Sequence, residues 1–317
     1  MYYNSLLSGV SKIGMGCWAM ANDQQWGTVD ENELIATVHM ALDIGINFFD
    51  TSENYGNGHS EEVLGRALSG RRQKAIVSTK VSGSNLLEKE LPKALELSLN
   101  RLKTDYIDLY YIHWPNREIP FEETMTALYK LKLQGKIRAI GVSNFGERDL
   151  SEIVKFGRID VNQLPYNLFW RMIENAIVEK CISENTGIVC YSPLAQGLLT
   201  GKFRKLEDIP ASGVRLRTRL YKKESLELVF QILNEIEKIS AETSVTIGQV
   251  SLAWLLSQPG VVSAIPGAKT RKQLTENVKA LAVVLRSDQI MRLTHTSEQL
   301  KKYLGTDPDM WDKERYR

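Results

Sequence analysis

Short apolar runs alternate with longer amphipathic segments along nearly the whole chain, and this alternation restricts the possible folds more than any other feature. Seven apolar runs are predicted as strands, at residues 46–50, 75–80, 106–113, 137–142, 161–164, 187–191 and 261–265, with an eighth near 11–14. Continuous apolar strands separated by helices are typical of a parallel sheet that is covered on its outer face. Eight evenly spread units favour a (β/α)8 TIM barrel over an open doubly wound sheet, and we expect residues 1–317 to form a single domain.

The intervening segments carry the periodicity of amphipathic helices. In the first, at 31–42, Leu34, Val38 and Leu42 share one face, Asp30 stands at the N-cap position and Gly45 follows the end. Further helices are predicted at 60–68, 88–102, 121–134, 149–156, 173–185, 225–239, 247–256 and 273–280. The tail, 287–317, is expected to pack outside the repeat.

Composition argues against several classes of function. The net charge is +2 with both signs mixed along the chain, whereas nucleic-acid binding normally leaves a basic stripe. No apolar run approaches the roughly 20 residues that span a bilayer, and the start lacks a signal-peptide pattern, so we expect a cytoplasmic protein with no membrane partner. Cys17, Cys181 and Cys190 have no CxxC spacing and are interpreted as buried free thiols. No cluster has metal-ligand spacing.

Polar side chains end strand after strand. The predicted strands close on Asp50, Lys80, His113, Ser143-Asn144, Gln163 and Tyr191-Ser192. In an α/β barrel these ends meet at one face, where barrel enzymes place their catalytic groups. Buried there, charged groups are costly unless they pair.

A proton-transfer chemistry follows from three of these side chains and a nearby tyrosine. Asp50 would keep Lys80 ionised, and the Lys80 ammonium would lower the pKa of Tyr55, which lies in the loop after Asp50. A tyrosine tuned in this way can donate and accept a proton near neutral pH. His113 can hydrogen-bond a substrate carbonyl and orient it. Each residue alone could have an ordinary structural role, but such roles do not predict that all four residue types meet at one face.

These residues stand in motifs that resemble the aldo-keto reductase superfamily. The motifs lie at 48–56 (FFDTSENYG), 78–80, 112–115, 140–145, 191–194, 265–269 and 276–277, in the expected order. Many members carry a lysine directly after the Ile-Pro pair, where this chain has Gly267, and this departure resembles the bacterial and potassium-channel β-subunit-like branch. The resemblance implies a (β/α)8 barrel and an NADPH-dependent oxidoreductase that reduces an aldehyde or ketone to an alcohol by reversible hydride transfer.

The resemblance also implies particular site residues. The catalytic tetrad would be Asp50, Tyr55, Lys80 and His113, with Tyr55 as the general acid. Trp18 and Trp114 would line the substrate pocket. Contacts to the cofactor would come from Ser143, Asn144 and Gln163 at the carboxamide, Tyr191 at the nicotinamide ring, Ser192, Leu194, Gly197 and Lys202 at the pyrophosphate, and Gly267, Ala268, Lys269, Gln273, Glu276 and Asn277 at the adenosine.

The cofactor preference is predicted from local charge. Lys269, with Arg271 and Lys272 close by, would place positive charge where a 2′-phosphate sits, so we expect NADP(H) to be preferred over NAD(H). The basic stretch from Arg215 to Lys223 is interpreted as a solvated loop face rather than a phosphate site.

Several alternatives stay open at this point. The glycine pattern at 14–19 matches a dinucleotide-binding G-x-G-x-x-A string, but the following residues read as loop rather than helix, which argues against it. The chain could be a cofactor-binding regulatory subunit resembling channel β-subunits, or an enzyme that oxidises a sugar or polyol. We expect a small carbonyl or alcohol substrate, whose identity the sequence does not reveal, and oligomeric state is likewise open.

Overall fold

Eight parallel strands form one curled sheet in the computed structural model, which describes residues 5–22, 26–27, 29–210 and 213–311. Neighbours in the sheet follow one another in the chain, from the first strand to the eighth. This arrangement agrees with the predicted (β/α)8 architecture. The strands are β1 (Met15–Gly16), β2 (Phe48–Asp50), β3 (Ile76–Val81), β4 (Ile107–Ile112), β5 (Ile137–Ser143), β6 (Val161–Pro165), β7 (Gly187–Tyr191) and β8 (Val261–Ala264).

Strand β1 also approaches β8. Isolated parallel bridges join Ile13 to Ala264 and Gly16 to Gly267. A Cβ on Gly16 would lie 2.8 Å from the Ile265 carbonyl oxygen, so glycine permits this approach. The glycine pattern at 14–19 is thus a close-packing feature, and it runs into a short 3₁₀ turn, Trp18–Ala21, rather than into the helix of a dinucleotide-binding motif.

The predicted position of the first strand is wrong by a few residues. It was expected near 11–14, whereas β1 is Met15–Gly16. The backbone before it meets β8 only at an isolated bridge, where Gly14 N donates to the Ala264 carbonyl at 2.8 Å and Ala264 N donates to the Lys12 carbonyl at 3.0 Å. At Ser11 a side chain takes over, because Ser11 N donates to Asn47 Oδ1 at 2.9 Å.

One short helix precedes the first strand, and the others lie between the strands or after the last one. They are α1 (Ser5–Ser8), α2 (Glu31–Asp43), α3 (His59–Ala67), α4 (Leu91–Leu102), α5 (Phe121–Leu133), α6 (Glu147–Ile153), α7 (Ile177–Ser183), α8 (Lys223–Thr243), α9 (Ile247–Leu256), α10 (Arg271–Val278), α11 (Ser287–Thr296) and α12 (Glu298–Leu304). Asp30 caps α2 as predicted, because its carboxylate accepts from Asn32 N at 2.9 Å. Helix α4 begins three residues later than predicted, with Pro92 in its first turn, where proline is favoured.

The interior of the sheet explains why the polar strand ends converge. Side chains two residues apart on a strand point to the same side. Inside, Phe48, Leu109, Ala139, Val161 and Val189 form an apolar cluster with Leu7 and Val10 of the amino-terminal segment. Asp50, Gln163 and Tyr191 lie two positions beyond Phe48, Val161 and Val189 on their own strands, and His113 and Ser143 lie four positions beyond Leu109 and Ala139. Lys80 is in register with Tyr111, two positions beyond Leu109. The polar groups therefore face the same interior, one layer nearer the carboxyl ends.

Buried charges near the amino-terminal ends of the strands are paired. Asp108 accepts from Arg72 Nη2 at 2.7 Å and from Arg138 Nη1 at 2.8 Å. Asp160 accepts from Arg158 Nε at 3.0 Å. Polar networks at this face of a barrel serve stability rather than chemistry.

Three further observations concern the described residues. None of their helices combines the length and apolarity that crossing a membrane requires. Cys17, Cys181 and Cys190 are buried free thiols, as predicted. No group of three or more His, Cys, Asp and Glu side chains among these residues is placed to hold a metal ion.

Candidate active site

A cavity of about 820 Å³ opens at the carboxyl ends of the strands and gathers almost every predicted site residue. Lys80 and Ala268 do not line it, since both are buried. The predicted residues in its wall are Trp18, Asp50, Tyr55, His113, Trp114, Ser143, Asn144, Gln163, Tyr191, Ser192, Leu194, Gly197, Lys202, Gly267, Lys269, Gln273, Glu276 and Asn277.

A buried ion pair lies beneath the cavity floor. Lys80 is 0% exposed and Asp50 is 2% exposed. Lys80 Nζ donates to Asp50 Oδ1 at 2.5 Å, to the Thr51 carbonyl at 2.8 Å and to the Tyr55 hydroxyl at 3.4 Å. Burial lowers the pKa of Lys80, but the Asp50 charge and hydrogen bond, with a contribution from Tyr55, raise it above its ordinary value. The ammonium therefore stays charged.

The second oxygen of Asp50 is held as firmly as the first. Asp50 Oδ2 accepts from Ser78 Oγ at 2.7 Å and from Gln163 Nε2 at 2.7 Å. Gln163 is a predicted cofactor contact, so one side chain joins the predicted tetrad to the predicted nicotinamide site. Sequence reasoning gave Ser78 no role, although it stands two residues before Lys80 on the same strand.

The net pKa shift of Tyr55 differs from the expectation. Burial raises the pKa of the hydroxyl above its ordinary value of 10.0, and Asp50 adds to this rise, while the Lys80 ammonium lowers it by less. The direction predicted from Lys80 alone is therefore wrong for this structure, because desolvation favours the neutral phenol. Tyr55 stays protonated at neutral pH, as a proton donor must.

His113 lies beside Tyr55 at the end of β4. The two ring centroids are 6.0 Å apart, in an edge-to-face arrangement. His113 Nδ1 is 3.2 Å from Ser52 Oγ, and the direction of that hydrogen bond depends on the tautomer. The His113 backbone N–H donates to the Val81 carbonyl at 2.9 Å, which ties the ring to the end of the neighbouring β3.

The predicted carboxamide residues form a connected set. Asn144 has a left-handed backbone (φ 63°), a conformation that asparagine tolerates better than most residues. Its Nδ2 donates to the His113 carbonyl at 3.1 Å, and its Oδ1 accepts from the Tyr191 hydroxyl at 2.8 Å. Ser143 Oγ donates to the Gln163 carbonyl at 3.1 Å. These contacts fix polar groups at the wall between the tetrad and β7.

The loop after β7 has an unusual backbone. Ser192, Ala195 and Gln196 have φ values of 50°, 47° and 50°, and Gly197 has 107°. Non-glycine residues rarely adopt positive φ, and such strain concentrates at functional sites. At Gly197 a Cβ would lie 2.7 Å from Lys202 Cε, so glycine allows the lysine side chain to pass close to this loop.

Three cations gather at the end of the cavity where the cofactor phosphates are predicted to lie. Partial burial and the nearby charges of Arg215 and Lys269 lower the pKa of Lys202. Arg215 Nε donates to the Gln196 carbonyl at 3.0 Å, and Lys269 Nζ donates to the Trp26 carbonyl. Like charges held close together would be stabilised by an anion, so this end of the cavity could hold phosphate groups.

The 215–223 stretch is not the solvated loop face that its composition suggested. Leu220 and Tyr221 are buried, and Arg215 and Arg217 line the cavity. The reason is packing: the Tyr221 hydroxyl donates to the Gln196 carbonyl at 3.1 Å, which draws this segment against the strained loop.

Two tryptophans that sequence reasoning missed complete an aromatic wall. Trp18 stacks on Tyr55 with centroids 5.6 Å apart, and meets Trp26 and Trp311 edge-on at 5.4 and 5.6 Å. Trp311 lies in the tail that was expected to pack outside the repeat, and for this residue that expectation is wrong. The only signal in the sequence is an apolar Met310-Trp311 pair in a polar tail.

Backbone pairing returns the tail to the cavity. Thr218 and Trp311 form an antiparallel bridge, and Arg219 N donates to the Met310 carbonyl at 3.1 Å. Trp170 Nε1 donates to the Pro308 carbonyl at 3.1 Å. The tail is thereby anchored across the cavity mouth, against the same loop that supplies Arg215.

Comparison with known proteins identifies relatives of the chain. A sequence model of the Aldo/keto reductase family matches residues 12–298. The chain is 37% identical over 291 residues to the aldo-keto reductase yakc [NADP(+)] of Schizosaccharomyces pombe, covering 87% of this chain and 85% of that protein. It is 32% identical over 316 residues to the NADH-specific methylglyoxal reductase of Escherichia coli, covering 92% and 96%.

A solved structure shows the same similarity in three dimensions. An aldo/keto reductase from Klebsiella pneumoniae in complex with NADP and acetate superposes with a TM-score of 0.74 and 29% identity. The match covers 96% of this chain and 95% of that one. The superfamily predicted from the sequence motifs is confirmed.

Proposed function

The chain belongs to the aldo/keto reductase family of oxidoreductases, and we propose that it reduces an aldehyde or ketone with NADPH, using Tyr55 as the proton donor. One observation carries the proposal. A protonated Tyr55 hydroxyl lies 3.4 Å from a fully buried ammonium, beside His113, in the wall of a cavity that also holds the predicted cofactor residues. Proton donors positioned in this way assist carbonyl reduction.

The proposed roles follow from the contacts. When bound, NADPH supplies hydride from C4 of its nicotinamide. Ser143, Asn144 and Gln163 would hold the carboxamide, and Tyr191 would lie against the nicotinamide ring. His113 orients the carbonyl oxygen.

Tyr55 would donate its proton to that oxygen when the carbonyl is reduced, which gives the alcohol. The phenolate that remains is stabilised by the Lys80 ammonium, and Asp50 keeps this ammonium charged. Burial keeps the Tyr55 hydroxyl protonated at neutral pH, which is the state that carbonyl reduction requires, and we propose reduction as the activity.

We also propose a preference for NADP(H). The similar E. coli protein is NADH-specific and the S. pombe protein carries NADP(+) in its name, so similarity alone does not choose between cofactors. Local charge supports the proposal, because Lys269 and Lys272 line the part of the cavity that we assign to the adenosine. Arg271 is paired with Glu33, since its Nη2 lies 3.0 Å from Glu33 Oε2.

The fold-level proposals are that the sheet closes into a complete barrel and that the whole chain is one domain. The bridges between residues at β1 and β8 support the closure. The family match across residues 12–298 supports a single unit.

The experiment is NADPH consumption by the purified protein with a panel of activated aldehydes, run beside Tyr55→Phe. Tyr303→Phe, an exposed tyrosine on α12 outside the cavity wall, is the matched control. Turnover should disappear in Tyr55→Phe while NADPH binding, followed by fluorescence titration, is retained; the control should match the wild type. Retained turnover in Tyr55→Phe would refute the acid assignment. NADPH binding without turnover on any aldehyde would favour a cofactor-binding regulatory protein.

A further inference from the structure

The Asp50 carboxylate is held on both of its oxygens by buried donors. Oδ1 accepts from Lys80, whereas Oδ2 accepts from Ser78 Oγ and Gln163 Nε2, both at 2.7 Å. Ser78 is 0% exposed. Buried carboxylates are oriented by the donors that satisfy them, because competing water is excluded.

The two donors to Oδ2 differ in what else they face. Gln163 lines the cavity, and in the proposed function it also serves the nicotinamide carboxamide. Ser78 is absent from the cavity wall; its hydroxyl lies 2.7 Å from Asp50 Oδ2 and 3.4 Å from the Phe49 carbonyl oxygen. Ser78 and Lys80 are two residues apart on β3, so both side chains point to the interior. Ser78 can therefore hold Asp50 whether or not the cavity is filled.

We propose that Ser78 is a positioning residue of the active site: its hydroxyl anchors Asp50 Oδ2 so that Oδ1 keeps Lys80 in reach of Tyr55. This inference rests on the proposed function. The contact from Lys80 to Tyr55, at 3.4 Å, is already near the outer limit of a hydrogen bond. A small rotation of the carboxylate would break it, and the phenolate left after proton donation would lose its neighbouring ammonium.

The pKa of the Tyr55 hydroxyl depends on where the Lys80 ammonium lies. Lys80 lowers its pKa, whereas burial, Asp50 and Cys17 raise it. His113 lies on the cavity side. Lys80 is thus the group in this set that stabilises the phenolate, and Ser78 acts on it through Asp50.

Thr79, the next residue on β3, provides a matched control. It is also 0% exposed, and its Oγ1 donates to Glu61 Oε1 at 2.6 Å. Glu61 in turn accepts from Arg101 Nε at 2.6 Å and does not line the cavity. Ser78→Ala and Thr79→Val each remove one buried hydroxyl that donates to a carboxylate, but only the first touches Asp50.

The test compares Ser78→Ala, Ser78→Thr and Thr79→Val with the wild type in NADPH-dependent aldehyde reduction. In Ser78→Ala, kcat should fall about tenfold while the dissociation constant of NADPH stays within about twofold, because a hydrogen bond to a charged group is lost beneath the site. The solvent deuterium isotope effect on kcat should increase, since a weaker acid makes proton transfer more rate-limiting. Ser78→Thr, which keeps the hydroxyl, should restore kcat, and Thr79→Val should keep both the wild-type kcat and the wild-type isotope effect.

Two results would overturn the inference. One is a Ser78→Ala protein with wild-type kcat and isotope effect. The other is an equal loss of kcat in Ser78→Ala and Thr79→Val, which would mean that losing any buried hydroxyl on β3 loosens the site. The thermal unfolding temperature is measured for each variant to check that it folds. If Ser78→Ala does not fold, Ser78→Cys is used instead, because a thiol is only a weak hydrogen-bond donor.

The Tyr55→Phe variant separates this inference from the function on which it rests. Turnover that survives in Tyr55→Phe defeats the proposed function. An inactive Tyr55→Phe beside a normal Ser78→Ala defeats only the positioning role of Ser78.

Discussion

Replacing Lys80 with methionine should destabilise the protein far more than the loss of an ordinary lysine. The substitution leaves the Asp50 carboxyl group 2% exposed and without the ammonium 2.5 Å from Oδ1. Removing one partner of a buried ion pair costs about 3–5 kcal/mol. Because Ser78 and Gln163 still donate to Oδ2, we expect the lower end, about 3 kcal/mol, and no aldehyde reduction.

A double-mutant cycle isolates the interaction. Asp50→Asn alone should cost a similar amount, because it leaves the Lys80 ammonium unpaired. The double variant should lose only about 1–2 kcal/mol, since neutral replacement of a buried pair is often nearly neutral. We therefore expect a coupling energy of several kcal/mol between Lys80 and Asp50. It is obtained from the urea denaturation midpoints of the four proteins, with the m-value checked for each.

An exposed pair gives the control for this cycle. Lys93 and Glu90 lie 3.2 Å apart with side chains 69% and 37% exposed. The same cycle there should give a coupling below about 1 kcal/mol. A Lys80/Asp50 double variant that loses as much stability as the two single variants together would refute the reasoning.

The pH dependence of this stabilisation has a definite sign. The folded-state pKa of Lys80 is raised above its ordinary value of 10.5, since Asp50 outweighs the opposing effect of burial. A group with a raised pKa stabilises the fold fully below the unfolded-state pKa and loses this contribution as the pH rises through the folded-state pKa. The stability difference between wild type and Lys80→Met should therefore be constant from about pH 7 to 9 and shrink only above about pH 10.5.

Three further outcomes are expected. Because burial raises the pKa of Tyr55, kcat for aldehyde reduction should stay level up to about pH 9 and fall only at higher pH; a fall centred near neutrality in stopped-flow NADPH oxidation would contradict this. Lys269→Ala should weaken NADPH binding at least about tenfold more than NADH binding. Arg271 is paired with an acidic side chain, so Arg271→Ala should leave the ratio of the two affinities unchanged. Equal losses of affinity for both cofactors in Lys269→Ala titrations would mean that another residue binds the 2′-phosphate. Trp311→Ala should raise KM for aromatic aldehydes about tenfold with little effect on small aliphatic ones, and Tyr303→Ala should change neither; uniform losses across the panel would show that Trp311 only stabilises the fold.

The elements that the sequence predicted well are those whose signal is local. The seven strands from Phe48 to Ala264 and the capped helix α2 follow from apolar periodicity and from one N-cap aspartate. The convergence of the polar residues at the strand ends was predictable from the sequence, because parallel barrel strands all end at one face. Strand boundaries were predicted less well: β1 lies later than predicted, and the residues before it meet β8 only at an isolated bridge.

The features that sequence reasoning missed depend on contacts between distant segments. Trp311 reaches Trp18 because Thr218 pairs with the tail, and no local pattern predicts that pairing. Arg215 reads as a solvated charge in the sequence, but packing of Tyr221 draws its segment to the cavity.

The residue types and the alternation of apolar and amphipathic segments therefore specified which groups lie at the carboxyl ends of the strands. They could do so because all parallel strands of a barrel end at the same face. How those groups behave was decided by the packed structure. The pKa of Tyr55 rises although Lys80 is close, since desolvation depends on everything that surrounds the hydroxyl. The anchoring of Asp50 by Ser78 likewise exists only when β2 and β3 lie side by side, because hydrogen bonds are made at distances that the sequence does not state.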